Sequence, residues 1–310
     1  NNNEYFVLNL HQNYFLKKKK YFFLIDYFCN FILNSDFFIS NNVCDFFTPN
    51  SKRIYIHHDI YDTPLIDKKK EKNLNFRLLK YDYILLASNI TKQIFLKLFD
   101  KNSKKPLLKT IGYFKLDAMI KKFKDKKKIK NKIIIAPTNF LAFKKFTIYK
   151  NLDKILDFLL LSTKYKIIFR PHPSNLNSVK VNNILKKYSN FKNFYLDNST
   201  DYSNIYLNSL SMITDISGTA YTYAFLTKNP VIFFRSYKKN IEQKFANLKY
   251  FQDRKKIGVI FDNIHDFKKL KKIIKNKQIN KKNISKILSE NFDIGKTKIN
   301  FFKFLKNVSN

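Results

Sequence analysis

From about residue 132 onward, short apolar runs alternate with amphipathic stretches along the chain. The run Ile133–Ala136 predicts a buried strand, and five apolar residues then recur at the spacing of one helix face: Leu152, Ile155, Leu156, Leu159 and Leu160. The same pattern predicts further strands at Lys166–Phe169, Phe191–Leu196, Ser211–Thr214 and Pro230–Phe234. It predicts further helices at Val179–Tyr188, Tyr202–Asn208 and between Ser217 and Leu226. Strands that are apolar throughout and alternate with helices indicate a parallel sheet with helices on both faces.

The first third of the chain shows a looser version of this pattern. Four runs predict strands: Tyr5–Leu10, Asp36–Ile39, Arg53–His57 and Tyr83–Ala87. A helix is predicted over Thr91–Phe99 because its apolar residues share one face, and Ser88 or Asn89 can cap it. The pattern therefore predicts an α/β unit in this part of the chain as well.

The segment Lys121–Lys132 separates the two halves. Its sequence, KKFKDKKKIKNK, consists mostly of lysine and has no apolar residues at helix or strand spacing, which is typical of a linker. A chain of 310 residues is also long enough for two cores, since single cores stop growing near about 250 to 300 residues. We therefore predict two domains, 1–125 and 126–310, with basic C-terminal helices after about Lys268 that can pack back on the first domain.

Composition limits the class of protein. With 45% hydrophobic and 17% aromatic residues, the chain is too apolar for intrinsic disorder. Its net charge of 60 − 23 = +37 is the kind of excess found in proteins that bind nucleic acid, anionic membranes or polyanions. Abundant Lys, Asn, Ile, Phe and Tyr with little Gly and no Trp are also what an AT-rich coding sequence produces. Because no zinc-finger spacing, RNP motif or helix-turn-helix is visible, we do not expect a nucleic-acid partner.

Signals for the cellular compartment are few. Cys29 and Cys44 are too few for a disulfide framework, and no signal peptide is visible at Asn1. The most apolar stretch, Tyr21–Ile39, is interrupted by Asp and Asn residues that are costly at a bilayer centre, so it does not read as a membrane span. We expect a cytoplasmic protein whose cationic surface lies peripherally on the inner face of the membrane.

Two loops of the C-terminal half follow predicted strands and carry groups that suit phosphate. In RPHP, Arg170 offers a planar set of donors and His172 a hydrogen bond or a proton, held between two prolines. In TDISGT, a strand leads into the amino end of a helix, where free backbone N–H groups favour an anion. The residues of interest there are Asp215, Ser217, Gly218 and Thr219. In parallel sheets, ligands bind at these carboxyl ends of strands, so a diphosphate is the ligand that these loops favour.

A third loop, HHDIYDTPL, begins at His57 and follows a predicted strand of the first half. Asp59 and Asp62 can orient an imidazole as a general base, while satisfied structural histidines remain an alternative. Neighbouring residues of a strand point to opposite faces, so only one of His57 and His58 is expected in a cleft. A zinc site would need further His or Cys residues at a suitable spacing, and neither Cys29 nor Cys44 belongs to a recognisable pattern, so no metal is expected. The segments GYFKLD (112–117) and APTN (136–139) are weaker signals of the same kind.

Taken in order, these segments resemble the CDP-glycerol glycerophosphotransferase family, which includes enzymes similar to teichoic-acid polymerases. The matching stretches are HHDIYDTPL (57–65), GYFKLD (112–117), IIIAPT (133–138), RPHP (170–173) and TDISGTAYTYAFLTKNPVIFF (214–234). The resemblance covers about residues 50–235. It implies GT-B architecture, in which two Rossmann-like domains face a central cleft.

The resemblance also implies roles for the residues. The C-terminal domain would hold the nucleotide donor through these residues: Arg170, Pro137, Thr138, Asp215, Ser217, Gly218 and Thr219. His58 or His57, with Asp59 and His172, would serve catalysis, and no metal or cofactor would be needed. The expected activity is transfer of a glycerophosphate or related group from a CDP-activated donor to a glycan or lipid-linked acceptor. Gly218 also fits the nucleotide-sugar enzymes of the same architecture, so a glycosyltransferase and a nucleotide-sugar 2-epimerase stay open as alternatives.

Overall fold

The computed structural model describes residues 36–44, 47, 50–61, 74–99, 105–123, 131–237, 239–246, 248–276 and 278–309. Within them, ten strands form two separate parallel sheets. The N-terminal sheet has the order β1-β2-β3-β4 and the C-terminal sheet the order β10-β9-β8-β5-β6-β7. The N-terminal strands are β1 (Phe37–Ser40), β2 (Lys52–Ile56), β3 (Tyr83–Leu86) and β4 (Leu107–Thr110). The C-terminal strands are β5 (Lys132–Ile135), β6 (Lys166–Phe169), β7 (Phe194–Leu196), β8 (Ser209–Thr214), β9 (Val231–Phe234) and β10 (Gly258–Phe261).

Eleven α-helices in the described residues connect and cover these strands. The first six are α1 (Asn89–Leu98), α2 (Phe114–Phe123), α3 (Leu152–Ser162), α4 (Val179–Tyr188), α5 (Ser203–Leu207) and α6 (Thr219–Thr227). The other five are α7 (Lys239–Gln243), α8 (Lys249–Ile257), α9 (Leu270–Lys275), α10 (Gln278–Asn291) and α11 (Thr297–Ser309). Three short 3₁₀ turns complete the set, at Ile148–Lys150, Pro173–Asn175 and Ile264–Lys269.

The apolar spacing in the sequence accounts for the helices that it predicts. The five apolar residues of α3 are all buried, and they pack against the strands of the C-terminal sheet. In α1, the hydroxyl of Ser88 accepts the backbone N–H of Thr91 at 3.3 Å, so Ser88 rather than Asn89 is the N-cap. Strand β9 is buried at every position, as expected for a central parallel strand.

The structure corrects the predicted linker. Residues 121–123 are helical and complete α2, because the apolar face of that helix begins at Leu116, before the cationic run. Residues 124–130 lie outside the described residues, so the boundary near residue 125 stays a prediction. The predicted strand Tyr5–Leu10 and most of Tyr21–Ile39 also lie outside them. Strands β4 and β10 and helices α2, α7 and α8 were not predicted.

The strand order marks the C-terminal sheet's natural crevice. Neighbouring β5 and β8 are joined to strands on opposite sides, so the chain changes direction between them. Ligands of doubly wound sheets bind outside the carboxyl ends of the strands at such a point. The loops that follow β5 and β8 are those that carry Thr138 and Ser217.

The largest buried cluster joins the two sheets instead of lying within one of them. It contains Ile60, Leu116 and Met119 from the first sheet's loops and helix, together with apolar residues of α6 and α10. Tyr61 is fully buried and stacks on Tyr221 with ring centroids 3.9 Å apart. The loop after β2 and helix α2 are therefore held against α6, so the carboxyl edges of the two sheets face each other.

The C-terminal helix α11 returns to the N-terminal sheet. Phe304 packs in one cluster with Ile54 and Leu85 of that sheet. The carboxylate of Asp117 accepts the backbone N–H of Gly295 at 2.8 Å and of Thr297 at 3.1 Å, which caps the start of α11. No helix in the described part of the chain is both long enough and apolar enough to cross a bilayer.

Candidate active site at the interdomain cleft

Asp215, which follows β8, is a buried organiser of the donor-side loops. Its side chain is 1% exposed, and its two oxygens accept the backbone N–H groups of Thr138 (2.9 Å), Ile216 (2.7 Å) and Ile148 (3.0 Å). Burial raises the pKa of Asp215 to about 6, and the three N–H groups oppose that rise. Both oxygens of this carboxylate hold the loop after β5 in place, and its contact with a donor stays a prediction.

The loop after β5 is likewise built into the protein. Pro137 and Thr138 are both buried, and the N–H of Thr138 is used by Asp215. The contact of these two residues with a donor stays a prediction, and the observed bond from Thr138 to Asp215 fixes the position of their loop. Asn139 continues the loop, and its amide oxygen accepts the N–H groups of Leu141 and Ala142.

The start of α6 has the features of an anion site. Gly218 is the N-cap, and no side chain caps the helix. In the described part of the chain, the backbone N–H groups of Ser217, Gly218 and Thr219 donate to no other group. These three residues are half-buried, and they lie at the positive end of the helix dipole. The hydroxyl of Thr219 bonds to that of Tyr206, so the backbone rather than this hydroxyl is available to a ligand.

Arg170 follows β6 and joins its own loop to the loop between β7 and α5. Its guanidinium pairs with the carboxylate of Asp197, donates to the carbonyl of Ser199 at 3.0 Å, and lies 4.3 Å from the ring centroid of Tyr202. The Arg170 side chain is only 12% exposed and that of Asp197 4%. The arginine is thus a fixed, partly shielded cation at the strand ends, and not a mobile surface group.

His172 caps the short 3₁₀ turn that follows Arg170. Its Nδ1 accepts the backbone N–H of Ser174 at 3.2 Å, so its proton is on Nε2 when the ring is neutral. Burial lowers the pKa of His172, which favours that neutral form. His172 can therefore donate one hydrogen bond from Nε2 to a ligand.

The two adjacent histidines point to different environments. His57 is 4% exposed, its ring packs edge-on against Phe95, and burial with the neighbouring His58 lowers its pKa to about 3. His58 is exposed at the cleft edge. The structure therefore leaves His58, and not His57, as the imidazole that a substrate can reach.

A single phenol links the two rings. The hydroxyl of Tyr55 lies 3.3 Å from Nδ1 of His57 and 3.3 Å from Nδ1 of His58. A phenol has one proton, so it can donate to one of these nitrogens and must accept from the other. When His58 Nδ1–H is the donor to Tyr55, Nε2 of His58 carries a free lone pair.

Asp59 and two residues of the GYFKLD segment complete the N-terminal edge. Burial raises the pKa of Asp59, while the nearby charges of His58 and Lys115 oppose the rise. Tyr113 donates from its hydroxyl to the carbonyl of His58 at 2.9 Å. Its ring also packs against the buried cluster that contains Ala220 and Tyr221 of α6, so Tyr113 lies between the histidine loop and that helix.

Lys115 makes a second bridge across the cleft. Its ammonium lies 4.3 Å from the ring centroid of Tyr202, the same ring that carries Arg170. Tyr202 therefore connects Lys115 to Arg170, and its ring lies 4.5 Å from that of Tyr206, whose hydroxyl bonds to Thr219 at the start of α6. Among the described residues, the structure records no hydrogen bond, ion pair or ring contact between His172 and His58, Arg170 or residues 217–219. Residues 62–65 lie outside the described residues.

Sequence reasoning missed Asp197, Tyr202, Tyr55 and Tyr113 as site residues. Asp197 comes directly after β7, so the rule that strand ends carry function could have identified it. Tyr113 was included only as part of the GYFKLD segment, and nothing in the sequence distinguishes Tyr55 or Tyr202 from the other tyrosines, of which the chain has 19 in all. No group of three or more His, Cys, Asp or Glu residues in the described part of the chain is placed to hold a metal ion.

A family model described as CDP-Glycerol:Poly(glycerophosphate) glycerophosphotransferase matches residues 17–292. The chain belongs to this family. It is therefore a transferase, and the resemblance drawn from the five sequence motifs is confirmed. Among curated protein sequences, none matches the chain.

Solved structures with a similar fold include the wall teichoic acid polymerase TagF, at a TM-score of 0.55 and 21% identity, over 86% of this chain and 70% of that one. A TagF variant soaked with CDPG gives a TM-score of 0.58 at 21% identity, over 88% and 72% of the two chains. A UDP-GlcNAc 2-epimerase from Methanocaldococcus jannaschii gives 0.53 at 17% identity, over 83% and 69%. These likenesses confirm the predicted α/β fold of two facing parallel sheets.

Proposed function

We propose that this glycerophosphotransferase moves glycerophosphate from CDP-glycerol to a hydroxyl of a glycan or lipid-linked acceptor in the cell envelope. The observation that carries the proposal is the uncapped start of α6 beside the β5–β8 crevice, together with the exposed His58, whose loop packs on α6 through the stacking of Tyr61 on Tyr221. An anion site opposite a general base is the arrangement that phosphoryl transfer to a hydroxyl needs.

The C-terminal edge supplies the donor site. The free N–H groups of residues 217–219 and the helix dipole would bind the diphosphate of CDP-glycerol, with Arg170 and the Nε2–H of His172 as further donors. Asp215 acts indirectly, since its carboxylate binds the backbone of the loop after β5 and that of its own loop after β8. A structure of a TagF variant soaked with CDPG supports this assignment of the donor.

The N-terminal edge supplies the base. His58 takes the proton of the acceptor hydroxyl, and the oxygen attacks the β-phosphorus of CDP-glycerol. The new bond joins the acceptor oxygen to that phosphorus, the bond from the β-phosphorus to the bridging oxygen breaks, and CMP leaves. Positive groups at the crevice offset the negative charge that builds up on the phosphoryl oxygens, so the proposal needs no metal.

We further propose that α11 rests on the anionic inner face of the membrane. Its exposed side presents Ile299 (56% exposed) and Phe302 (48% exposed) between three lysines: Lys298, Lys303 and Lys306. An apolar strip flanked by cations suits the headgroup region of a bilayer, where lipid-linked acceptors are found. Flotation of the protein with vesicles that contain or lack anionic lipid tests this proposal. Binding that persists without anionic lipid would come from the apolar strip, whereas binding that needs anionic lipid would come from charge attraction alone.

The experiment that tests the function is incubation of the protein with CDP-glycerol and a glycerol-primed lipid acceptor, with and without EDTA. We expect CMP release that depends on the acceptor and is unchanged by EDTA. Parallel incubations with UDP-GlcNAc address the alternatives. Epimerisation of that nucleotide sugar without acceptor, or transfer of its sugar in place of glycerophosphate, would replace the proposal.

A further inference from the structure

Tyr55, His57 and His58 form a short hydrogen-bonded chain at the N-terminal edge of the cleft. The hydroxyl of Tyr55 lies 3.3 Å from Nδ1 of His57 and 3.3 Å from Nδ1 of His58. Tyr55 is 2% exposed and His57 4% exposed, whereas His58 is exposed. In the described part of the chain, the Tyr55 hydroxyl has no hydrogen-bond partner other than these two nitrogens. The buried His57 is therefore connected to the exposed His58 through one phenol.

The single proton of that phenol makes the tautomers of the two histidines depend on each other. A neutral imidazole has one N–H and one bare nitrogen, and a phenol donates one hydrogen bond. If His57 is protonated on Nε2, its bare Nδ1 accepts from Tyr55, and the phenol oxygen accepts from Nδ1–H of His58. Nε2 of His58 is then bare. If His57 is protonated on Nδ1, both hydrogen bonds reverse, and Nε2 of His58 carries a proton and cannot accept another.

The environment of His57 favours the first arrangement. Burial, together with the neighbouring His58, lowers the pKa of His57 to about 3, so this ring stays neutral. A hydrogen bond from the phenol is stronger to a nitrogen in a buried site than to one that water can reach. Nε2 of His57 has no hydrogen-bond partner among the described residues, and the ring packs against Phe95. The face of an aromatic ring attracts an N–H and repels a lone pair, which also favours the proton on Nε2.

The charged groups near these rings do not select the tautomer. Asp59 is close enough to interact electrostatically with His58, Lys115 and Tyr55, and Tyr55 also interacts with Tyr81. Within the residues that the structure describes, none of Asp59, Lys115 and Tyr81 hydrogen-bonds to the Tyr55 hydroxyl or to a ring nitrogen of either histidine. These groups affect how readily His58 becomes charged, but the hydrogen bond at its Nδ1 decides which of its nitrogens is bare.

Resting on the function proposed above, we propose that His57 is a positioning residue: acting through Tyr55, it keeps Nε2 of His58 bare and able to take the proton of the acceptor hydroxyl. That step breaks the O–H bond of the acceptor, forms an N–H bond at Nε2 and makes His58 an imidazolium. The proton goes no further inward, because the phenol would have to protonate His57, whose buried site disfavours a charge. His58 therefore releases the proton to solvent after the transfer.

Nitrogen NMR of the ¹⁵N-labelled protein tests the proposal, because protonated and bare imidazole nitrogens have well-separated chemical shifts and the chain has only five histidines. At a pH where both rings are neutral, we expect His57 to be protonated on Nε2 and His58 on Nδ1. His57→Phe keeps a ring at this position but leaves His58 as the one acceptor for the phenol, so Nε2 of His58 should become protonated. His57→Leu removes the same nitrogen with a smaller side chain. The same tautomer in both rings of the parent protein, or an unchanged His58 in both variants, would overturn the proposal.

Turnover supplies a second readout that a loss of packing would not reproduce. We expect kcat for CMP release to fall about 30-fold in His57→Phe, with little change in the KM for CDP-glycerol. Removing the phenol as well should restore activity, because nothing then holds Nε2 of His58 in its protonated form. We expect kcat in the double variant His57→Phe/Tyr55→Phe to be at least about threefold higher than in His57→Phe.

Tyr81→Phe provides the matched control in the same background. The hydroxyl of Tyr81 bonds to Ser40 and Cys44 in the same core and contacts neither histidine, so its removal from His57→Phe should restore no activity. Equal recovery with Tyr81→Phe, or a double variant His57→Phe/Tyr55→Phe slower than His57→Phe, would assign the losses to packing and overturn the positioning role.

The two measurements separate this role from the proposed function. If the parent protein releases no CMP from CDP-glycerol while the tautomer of His58 still depends on residue 57, the proposed function fails and the positioning role of His57 stands. If CMP is released but neither the tautomer of His58 nor kcat responds to residue 57, the positioning role alone is rejected.

Discussion

At the carboxyl edge of the C-terminal sheet, the buried polar side chains already have hydrogen-bond or ion-pair partners within the protein. At the carboxyl edge of the N-terminal sheet, the reactive imidazole is exposed. Both carboxylate oxygens of Asp215 accept hydrogen bonds from backbone N–H groups, and Arg170 is paired with the buried Asp197. By contrast, His58 is exposed, and the contacts that position it come through the hydroxyls of Tyr55 and Tyr113.

The difference follows from what each edge has to do. A site for a diphosphate gains most from backbone dipoles that are already in place, because they cost no reorganisation when charge arrives. A general base must instead reach a hydroxyl on a substrate that enters and leaves. Substitutions on the two edges should therefore differ in kind: on the C-terminal edge they should alter stability and donor affinity, and on the N-terminal edge they should alter turnover.

The largest effect is expected from His58→Ala. Loss of the base should reduce kcat for CMP release by about 10² to 10⁴-fold, with little change in melting temperature because the ring is exposed. Steady-state kinetics with CDP-glycerol and acceptor measure it. His265→Ala, at an exposed histidine distant in sequence from the proposed site, is the control. Turnover within about threefold of the parent protein in His58→Ala would remove His58 from catalysis.

On the carboxyl edge of the C-terminal sheet, Asp215→Asn should lower stability and donor affinity rather than slow the chemical step. The amide keeps the shape but has one acceptor oxygen in place of two, so a buried backbone N–H loses its partner at a cost of about 1–3 kcal/mol of unfolding free energy. The KM for CDP-glycerol should rise as the crevice loosens. Denaturant unfolding measures the first effect. Asp293→Asn, at an exposed aspartate, should leave both quantities unchanged.

The pH dependence of unfolding shows whether burial or hydrogen bonding dominates the ionisation of Asp215. Folding raises the pKa of this carboxyl from near 4 to about 6, so between these values the folded state binds the proton more tightly than the unfolded state. The stability contributed by Asp215 is therefore present below about pH 4 and is lost as pH rises through about 6. The difference in unfolding free energy between the parent protein and Asp215→Asn should shrink by up to about 3 kcal/mol over this window. A difference that grows with pH would mean that the three N–H groups outweigh burial.

These contrasts also explain what the sequence could predict. Strands such as Lys166–Phe169 and helices such as Val179–Tyr188 are observed with the predicted bounds, because their apolar periods are long and unambiguous. The loops were located for the same reason, since they follow those strands. The roles within them were less accessible. Whether Asp215 faces a ligand or the backbone of Ile148 depends on a contact between residues 67 positions apart.

The N-terminal edge was harder for a related physical reason. Alternation along a strand correctly indicated that His57 and His58 face different environments, but it could not say which one is buried. That choice is made by the packing of Phe95 against His57, which brings together β2 and α1. Likewise, Gly112 has a φ of +105°, and a Cβ there would lie 2.3 Å from the hydroxyl of Thr297 in α11. The sequence indicates only a turn at Gly112, but the missing side chain there also lets the C-terminal helix α11 pack against this turn.

A smaller effect is expected from Arg170→Lys. Lysine keeps the charge and one bond to Asp197, but it cannot also donate to Ser199 and cover the ring of Tyr202. We expect the KM for CDP-glycerol to rise about tenfold, which corresponds to about 1.4 kcal/mol, while kcat falls less. Arg53→Lys is the control, because Arg53 also covers a ring and donates to a carbonyl, but on β2. An equal rise in the control would assign the effect to general loss of packing.

The smallest effect should come from Tyr55→Phe, which separates positioning from packing on the N-terminal edge. The change removes the hydroxyl shared by the two imidazoles and keeps the ring. His58 should then lose its preferred tautomer for part of the time, so kcat should fall about three- to tenfold with no change in the KM for CDP-glycerol. Tyr81→Phe, whose hydroxyl bonds to Ser40 and Cys44 in the same core, loses hydrogen bonds without touching a histidine. If both variants lose stability but only Tyr55→Phe loses turnover, the phenol orients the base. If kcat falls equally in both, the N-terminal edge depends on packing just as the C-terminal edge depends on its buried polar contacts, and the contrast between the two edges disappears.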